Sequence, residues 1–318
     1  MRQLTIQKND ENQRLDKYLK KYFKEAPGSF IYKMLRKKNI VLNGKKADGT
    51  EKLCSGDEIR LFLAEDTIEK FTGEVSAKKE SFPVKALDIL FEDENLLILN
   101  KPAGELSQKA SPKDVSMNEY ALGYLQETGA VTRESLKVFR PSVCNRLDRN
   151  TSGILIVAKT YQAAREFGEA LQKRTIRKYY HCIVKGELRQ QKTIDGFLLK
   201  NEETNQVQIF KTPTDGAVEI HTAYRPLEIK NRKTLLEVHL ITGRTHQIRA
   251  HLSSIGHPIL GDPKYGDRKM SSKYHLKYQM LHACRLELAG FSGEFEKYNG
   301  KVITAKTPKL FEKIMAED

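Results

Sequence analysis

The apolar positions of residues 1–63 follow a helical period first and a strand-like alternation afterwards. Leucines and a phenylalanine recur at four-residue steps over residues 14–24, which predicts an amphipathic helix. A second helix, capped by Ser29, is predicted next, and the Asn-Gly pair within residues 40–46 predicts a β-hairpin. A further strand is predicted over 57–63, so this region reads as a small α/β domain.

Residues 64–83 interrupt the pattern, and a second periodic region begins at residue 84. Charged and small residues without a period precede Pro83, and we predict a flexible linker there. Strands are predicted at 89–91, 96–99, 154–158, 177–186, 218–224 and 235–241, and helices at 116–127 and 161–172. The pattern of the whole chain predicts an α+β protein.

A further helix is predicted after the last of these strands, with Thr245 as its cap. Its inward-facing residues are expected to be Ile248, Leu252 and Ile255. Arg244 precedes the cap, at the corner between strand and helix. His246 and His251 lack the spacing of a His-Glu-x-x-His zinc site, and we interpret them as structural or RNA-facing.

The composition of the chain favours a nucleic-acid partner. Hydrophobic residues make up 39% of the 318 residues, enough for a sizeable core, and the net charge is +14. This excess of Lys and Arg is typical of polyanion binding, although a merely basic surface would carry the same charge. No apolar stretch approaches the roughly 18 residues of a membrane helix, and no apolar signal-peptide core is seen. The four cysteines are scattered, which predicts reduced thiols in the cytoplasm rather than disulfides or a zinc site.

A polar segment that runs directly into an apolar strand is the strongest candidate for chemistry. Arg146 and Asp148 are two residues apart, so in an extended chain they share one face while Leu147 anchors the other. The turn at 151–153 leads into the uncharged run 154–158, which is predicted to be buried. A carboxylate is thereby held beside a rigid element, as a reactive group requires. An isolated Arg-x-Asp in a loop is more often a turn with a surface ion pair.

The complete string Arg-Leu-Asp-x-x-Thr-Ser-Gly, followed by an apolar strand, closely resembles the active-site motif of the RluA-type pseudouridine synthases. This resemblance implies that Asp148 is the catalytic nucleophile and that Arg146 lies at the target nucleotide. The family usually has histidine where this chain has Asn145, a difference that concerns subfamily and local hydrogen bonding.

Two further segments resemble motifs of the same family. Residues 100–104, Asn-Lys-Pro-Ala-Gly, resemble the first motif, in which Lys101 either faces phosphate or stabilises a turn. Residues 177–186 resemble the Lys-x-Tyr motif, and the spacing within it assigns the active-site position to Tyr180. Strand alternation places the neighbouring Tyr179 on the opposite face.

A last motif, Gly-Arg-Thr-His-Gln-Ile-Arg at residues 243–249, implies that Arg244 pairs with the catalytic Asp148. Residues 257–266 extend the match. The resemblance implies that residues 84–318 form a pseudouridine synthase domain on a mixed, mainly antiparallel sheet with flanking helices.

The order of elements in residues 1–63 resembles the S4 RNA-binding domain, whose second helix and adjoining hairpin contact RNA. In this chain that region holds six basic residues and no acidic one between positions 28 and 46. We name them the basic patch: Lys33, Arg36, Lys37, Lys38, Lys45 and Lys46. A solvated helix face is the alternative interpretation.

The expected function is therefore isomerisation of specific uridines in structured RNA, foremost 23S ribosomal RNA. The resemblance implies an isomerase with RNA as partner, no cofactor, no metal and no membrane attachment, and a cytoplasmic monomer is expected. The alternatives are a pseudouridine synthase acting on transfer RNA and a non-catalytic RNA-binding or ribosome-assembly factor. Glycoside hydrolysis would need a second acid, and none lies near Asp148 in the sequence. Attack at C1′ and attack at C6 both remain open.

Overall fold

The computed structural model describes residues 1–7, 10–73 and 81–318. The first unit consists of the strands Arg2–Thr5 (β1), Ile40–Leu42 (β2), Lys45–Lys46 (β3) and Glu58–Leu61 (β4), with the helices Leu15–Tyr22 (α1), Gly28–Arg36 (α2) and Glu65–Thr72 (α3). Its strands form a four-stranded antiparallel sheet in the order β1-β4-β2-β3.

Helices α1 and α2 bury the apolar faces that their periodicity predicts. Leu15, Leu19 and Leu35 are at most 1% exposed and share one core with the sheet. The predicted Ser29 cap is wrong, because Pro27 occupies the N-cap position and no side chain caps the helix. The fixed φ of proline sets the entry of the chain instead, two residues earlier than a cap at Ser29 would.

The hairpin at β2 and β3 is confirmed. Asn43 and Gly44 adopt φ values of 50° and 72°, the left-handed pair that a tight two-residue turn needs. The turn carries two lysines of the basic patch on β3, where both are exposed.

Part of the predicted linker 64–83 is a helix, so the prediction is wrong for residues 65–72. Ile68 of α3 is fully buried in the core of the first unit, and the helix begins with two acidic residues that suit its N-terminus. Helix α3 buries only a narrow stripe of side chains, so its hydrophobic periodicity is too weak to be recognised in the sequence. Residues 74–80 of the predicted linker lie outside the described residues.

The second unit contains the strands Ile89–Glu92 (β5), Leu96–Lys101 (β6), Ser142–Val143 (β7), Ser152–Ala158 (β8), Arg177–Lys185 (β9), Lys192–Asn201 (β10), Gln206–Phe210 (β11), Val218–Lys230 (β12), Lys233–Leu240 (β13), Leu281–Glu287 (β14) and Val302–Thr304 (β15). Its helices are Met117–Glu127 (α4), Arg133–Val138 (α5), Tyr161–Gln172 (α6), Gln247–Ser254 (α7), Arg268–Lys273 (α8) and Lys309–Ala316 (α9), with a 3₁₀ helix at Gly293–Tyr298.

These strands form one mixed sheet of eleven strands with the central order β11-β10-β12-β13-β9-β14-β8-β6-β5. Among the described pairings only β14 with β8 is parallel, so the predicted mixed, mainly antiparallel sheet is confirmed. Long alternating strands such as β12 and β13 form its outer half.

Strand β8 is buried over its whole length because both faces of the sheet are covered there. Ile154 and Ile156 pack with Phe167 of α6, whereas Leu155 and Val157 pack with the face of α4. This double burial explains the uncharged run in the sequence. The loop that precedes β8 therefore leads into one of the most rigid elements of the protein.

The two units are in contact through α5. Val138 at its end is buried in the core of the first unit, and Lys21 of α1 places its ammonium 3.8 Å from the centroid of the Tyr161 ring. In the ranges that the structure describes, no helix combines the length and apolar character of a membrane span.

Candidate active site

The loop that carries Asp148 is clamped by backbone hydrogen bonds before it enters β8. Ser107 receives a hydrogen bond from the backbone N–H of Leu147 at 3.0 Å and donates one to its carbonyl at 2.9 Å. The side chain of Leu147 is buried, and the Asp148 carbonyl accepts from the N–H of Thr151 at 3.0 Å. Arg146 is exposed and the Asp148 side chain is 28% exposed, so both reach solvent from a fixed backbone. The buried Leu147 between them agrees with its predicted role as the anchor.

Lys101 stabilises the same loop by hydrogen bonds to backbone carbonyls. It is fully buried, and its ammonium donates to the carbonyls of Pro102, Glu105 and Arg149 at 2.9, 2.6 and 2.8 Å. Burial lowers the pKa of Lys101 to about 7. Of the two roles left open by the sequence, the structure supports the turn and not the phosphate contact.

Asn145 fastens the start of the loop to β8. Its amide donates to the carbonyl of Ile154 at 3.1 Å and accepts from the N–H of Ile156 at 2.8 Å. One side chain thus supplies both a donor and an acceptor to the strand. The residue that replaces the family's usual histidine has a structural task at this position.

The partner of the Asp148 carboxylate is Arg249. Its Nη1 lies 2.7 Å from Oδ2 of Asp148, and its Nε and Nη2 donate to the carboxylate of Asp262 at 2.6 and 2.9 Å. The predicted pairing of Arg244 with Asp148 is wrong. Arg244 is exposed and precedes the helix, whereas Arg249 lies inside α7 with its side chain 4% exposed.

The start of α7 explains which arginine faces the site. The N-cap is His246, in the left-handed region at φ 54°, and no side chain caps the helix, so the predicted Thr245 cap is wrong. Gln247 instead fixes the corner, accepting from the N–H of Arg244 at 3.1 Å and from the hydroxyl of Thr242 at 2.9 Å.

Within α7 the inward face is formed by Ile248, Arg249 and Leu252, all of them buried. Ile255, predicted to face inward, is 36% exposed because it lies beyond the end of the helix. The spacing of Arg249 and Leu252, three residues apart, was the signal that could have found the arginine.

Asp262 is the second carboxylate of this network and is completely enclosed. Its side chain is 0% exposed, and Oδ1 also accepts the N–H groups of Lys264 and Tyr265 at 2.8 and 3.0 Å. Burial alone would raise the pKa of Asp262, but the hydrogen bonds and charge of Arg249 hold that pKa below its ordinary value. An enclosed, ionised carboxylate cannot serve as the second acid of a glycosidase.

Tyr180 lies on the site's face of the sheet. It is buried in the same core cluster as Leu147, and burial, followed by the charge of Asp148, raises its pKa above the ordinary value. Tyr179 lies on the other face, stacked on His239 with ring centroids 4.7 Å apart. The predicted assignment of the two tyrosines to opposite faces agrees with these positions.

Two histidines of the last motif have different environments. His251 is buried and contacts the hydroxyl of Thr222 at 3.0 Å, a structural position. His246 places Nε2 3.9 Å from Oδ2 of Asp148 and Nδ1 3.0 Å from the hydroxyl of Tyr265. No group of three or more metal-ligating side chains was found in the described part of the chain. Tyr265 and Asp262 were not singled out from the sequence as site residues.

The basic patch lies on α2 and the β2–β3 hairpin. All six side chains are exposed, and no ion pair is formed by any of them with another described residue.

Comparison with known proteins agrees with the motifs. Residues 95–254 match the family model described as RNA pseudouridylate synthase. Ribosomal large subunit pseudouridine synthase C of Pasteurella multocida is 35% identical over 93% of this chain and 86% of its own length. The protein of the same name from Vibrio vulnificus is 34% identical over 88% of this chain and 86% of its own.

A solved structure shares the fold. The human RNA pseudouridylate synthase domain containing 4 superposes with a TM-score of 0.55 over 71% of this chain and 90% of its own, at 23% identity.

Proposed function

Because the chain belongs to the RNA pseudouridylate synthase family, we propose that it converts uridines of large-subunit ribosomal RNA to pseudouridine with Asp148 as nucleophile. The observation that carries this proposal is the partly exposed Asp148 carboxylate, held on a clamped loop by a buried arginine. The two bacterial relatives, named for the large ribosomal subunit, support the choice of RNA.

The reaction is an isomerisation in which every atom is retained. The C1′–N1 bond breaks, the uracil turns, a C1′–C5 bond forms, N1 gains a proton and C5 loses one. A single carboxylate that attacks C1′ of the ribose or C6 of the base is sufficient. Arg249, 2.7 Å from Asp148, aims the carboxylate and compensates its charge.

Asp262 makes that aim rigid. It binds Arg249 through two parallel hydrogen bonds, which leaves Nη1 of the same guanidinium directed at Asp148. The planar fork of arginine suits this arrangement, because three of its donors are fixed in one plane. The network is built before substrate arrives, which is how an enzyme avoids reorganisation during the reaction.

Tyr180 is the second residue of the chemistry. Its ring packs on the uracil, or its phenol assists the loss of the proton from C5. Its buried position in the same cluster as Leu147 supports a place beside the base. The raised pKa keeps the phenol protonated, so a part in the proton loss would be played by the hydroxyl and not by a phenolate base.

Arg146 holds the RNA open. The target base must leave its stack to reach the carboxylate, and the exposed guanidinium of Arg146, two residues from Asp148, fills the vacated place. Arg244, exposed at the corner before α7, is assigned to RNA contact rather than to Asp148.

The first unit acts as an S4-like RNA-binding domain. Its basic patch is exposed and unpaired among the described residues, so its charges are available to phosphate. Phosphate contacts of this kind give affinity and salt dependence but little sequence selectivity. The proposal includes a cytoplasmic monomer, and Asp148, Arg249, Asp262 and Tyr180 all belong to one chain, so the site needs no residue from a second copy.

Pseudouridine mapping tests the proposed substrate. Large-subunit ribosomal RNA and transfer RNA from a deletion strain are mapped, and the purified enzyme is then added to the same RNA in a buffer containing EDTA. We expect specific pseudouridines to be missing from the large-subunit RNA and restored by the enzyme. Loss and restoration confined to transfer RNA would overturn the choice of ribosomal RNA.

A further inference from the structure

His246 lies beside the Asp148 carboxylate, at the N-cap of α7. Its φ is 54°, in the left-handed region, where histidine is found several times more often than most residues other than glycine, asparagine and aspartate. The side chain is 8% exposed, and Nε2 lies 3.9 Å from Oδ2 of Asp148, beyond hydrogen-bond distance.

Two hydrogen bonds behind the ring favour one of its tautomers. The backbone N–H of Val207 donates to the hydroxyl oxygen of Tyr265 at 2.9 Å. The hydroxyl proton of Tyr265 then has Nδ1 of His246, 3.0 Å away, as its acceptor, and no other acceptor for that proton is found among the described residues. Nδ1 therefore accepts, and the proton of a neutral His246 resides on Nε2.

Burial is the main reason why the ring favours its neutral form. Burial lowers the pKa of His246 below its ordinary value, Asp148 opposes this, Arg249 and Lys264 add to it, and Asp262 opposes it weakly. Burial also raises the pKa of Tyr265, so the phenol keeps the proton that it donates. A neutral imidazole with its Nε2–H on the side of the Asp148 carboxylate is the result.

We propose that His246 binds the target nucleotide, donating its Nε2–H to an acceptor oxygen beside C1′. This inference rests on the proposed role of Asp148, because the target nucleotide and its C1′ must lie within reach of the Asp148 carboxylate. Two oxygens near that carbon are the candidates: the ribose O2′, which is bonded to C2′, the neighbour of C1′, and the uracil O2, which is bonded to C2, the neighbour of N1. Tyr265 is the positioning residue, because it acts through His246.

The relay from Val207 gives the contact its direction. The backbone of β11 holds the Tyr265 hydroxyl by the hydrogen bond from Val207, and that hydroxyl favours one tautomer of His246. The N-cap position of His246 sets the direction of its ring. A donor prepared in this way loses little freedom when the substrate binds. It also remains uncharged, so it leaves the pairing of Asp148 with Arg249 intact.

The first test pairs His246→Phe with altered RNA. The variant keeps a ring and the same backbone demand but has no donor. Single-turnover rates are measured for wild type and variant on RNA with uridine, 2-thiouridine or 2′-deoxyuridine at the target. One neutral hydrogen bond corresponds to roughly a 3- to 10-fold rate loss for His246→Phe on uridine.

The analogue that lacks the oxygen bound by His246 should slow the wild-type enzyme relative to uridine RNA, but it should not slow His246→Phe any further. A purely structural role of His246 would not produce this coupling. Coupling to 2-thiouridine assigns the bond to O2, and coupling to 2′-deoxyuridine assigns it to O2′. The proposal is overturned if both analogues slow His246→Phe as much as they slow wild type.

The second test does not depend on turnover. Imidazole ¹⁵N chemical shifts of the free enzyme, assigned to His246 by comparison with His246→Phe, report the tautomer directly. We expect Nε2–H in wild type and a mixture in Tyr265→Phe. Nδ1–H in wild type would overturn the relay even in an active enzyme. A wild type inactive on every RNA, with the Nε2–H tautomer present, would instead point to failure of the proposed function.

Discussion

Arg249 holds two carboxylates at once, and its loss affects each of them differently. Asp262 is enclosed and would be left with an uncompensated charge, whereas Asp148 reaches solvent and would mainly lose its orientation. Leaving a buried charge unpaired is among the most destabilising single changes. At the scale of one residue, stability and activity therefore depend on the same side chain.

We predict that Arg249→Ala lowers the free energy of unfolding by about 3–5 kcal/mol and abolishes turnover. Arg249→Lys keeps a charge but loses the fork, and should recover part of the stability while remaining slow. Denaturant unfolding and single-turnover rates give the two measurements. Arg244→Ala is the matched control and should leave the unfolding free energy nearly unchanged; a large loss there would restore the pairing that the sequence suggested.

The motif that carries these two arginines could be found from the sequence, but the choice between them could not. That choice depends on where α7 begins, and the left-handed His246 delays the helix by one residue relative to a Thr245 cap. Asp148, Arg146 and Tyr180 were assigned because their segments resemble the family's motifs, and the strand alternation added only that Tyr179 and Tyr180 face opposite sides. Asp262 and Tyr265 were not, because their contacts with Arg249 and His246 cross elements that only the folded chain brings together.

At the scale of elements, the parallel pairing of β14 with β8 joins the strand that follows the Asp148 loop to the outer half of the sheet. His282 of β14 is fully buried, with Nδ1 2.9 Å from the hydroxyl of Ser152 and Nε2 3.3 Å from the carbonyl of Ala305. The neutral ring satisfies both, accepting from the hydroxyl and donating to the carbonyl. The junction thus depends on His282 remaining uncharged.

Burial lowers the pKa of His282 to about 4, against an ordinary value of 6.5. Between these values the unfolded chain binds a proton that the folded chain does not, so stability falls as the pH drops from 6.5 towards 4. The loss should reach about 2–3 kcal/mol for this group.

Unfolding free energies of wild type and His282→Gln from pH 7.5 to 4.5 isolate its contribution. The variant should lose this part of the pH dependence. Parallel curves for the two proteins would contradict the account. Asp10, whose pKa burial raises to about 6, acts in the opposite direction in both proteins and cancels in the comparison.

The elements themselves were largely predictable where they are long and periodic. The helix Tyr161–Gln172 and the strands β8, β9, β12 and β13 agree with the sequence pattern, because each buries a whole face or both faces. Helix α3 was missed, since it buries little more than Ile68. The order of the strands in the large sheet required long-range pairing that no local pattern encodes.

At the scale of the whole molecule, the net charge of +14 includes exposed basic side chains in both units. The basic patch lies on the first unit, while Arg146 and Arg244 stand exposed at the site. The first unit is joined to the second through Val138 and the Lys21–Tyr161 contact. Under the proposed function, RNA is held by one unit while its target uridine is presented to the other.

Replacing three members of the patch should change the salt dependence of RNA binding. In the triple variant Lys33→Gln, Lys37→Gln and Lys45→Gln, the slope of log K against log salt should fall by about 2–3 if each lysine contacts phosphate. The control removes three exposed lysines of the C-terminal segment, Lys306, Lys309 and Lys313. Equal slopes for the two variants would mean that the patch is only a solvated face.

The central claim is that Asp148 performs the reaction, and Asp148→Asn tests it most directly. The substitution keeps the shape of the side chain and removes its nucleophilic charge. Pseudouridine formed in large-subunit RNA is measured in a single turnover, alongside the RNA dissociation constant. The account predicts no product from the variant and an RNA affinity close to that of wild type. Substantial turnover by purified Asp148→Asn would contradict it.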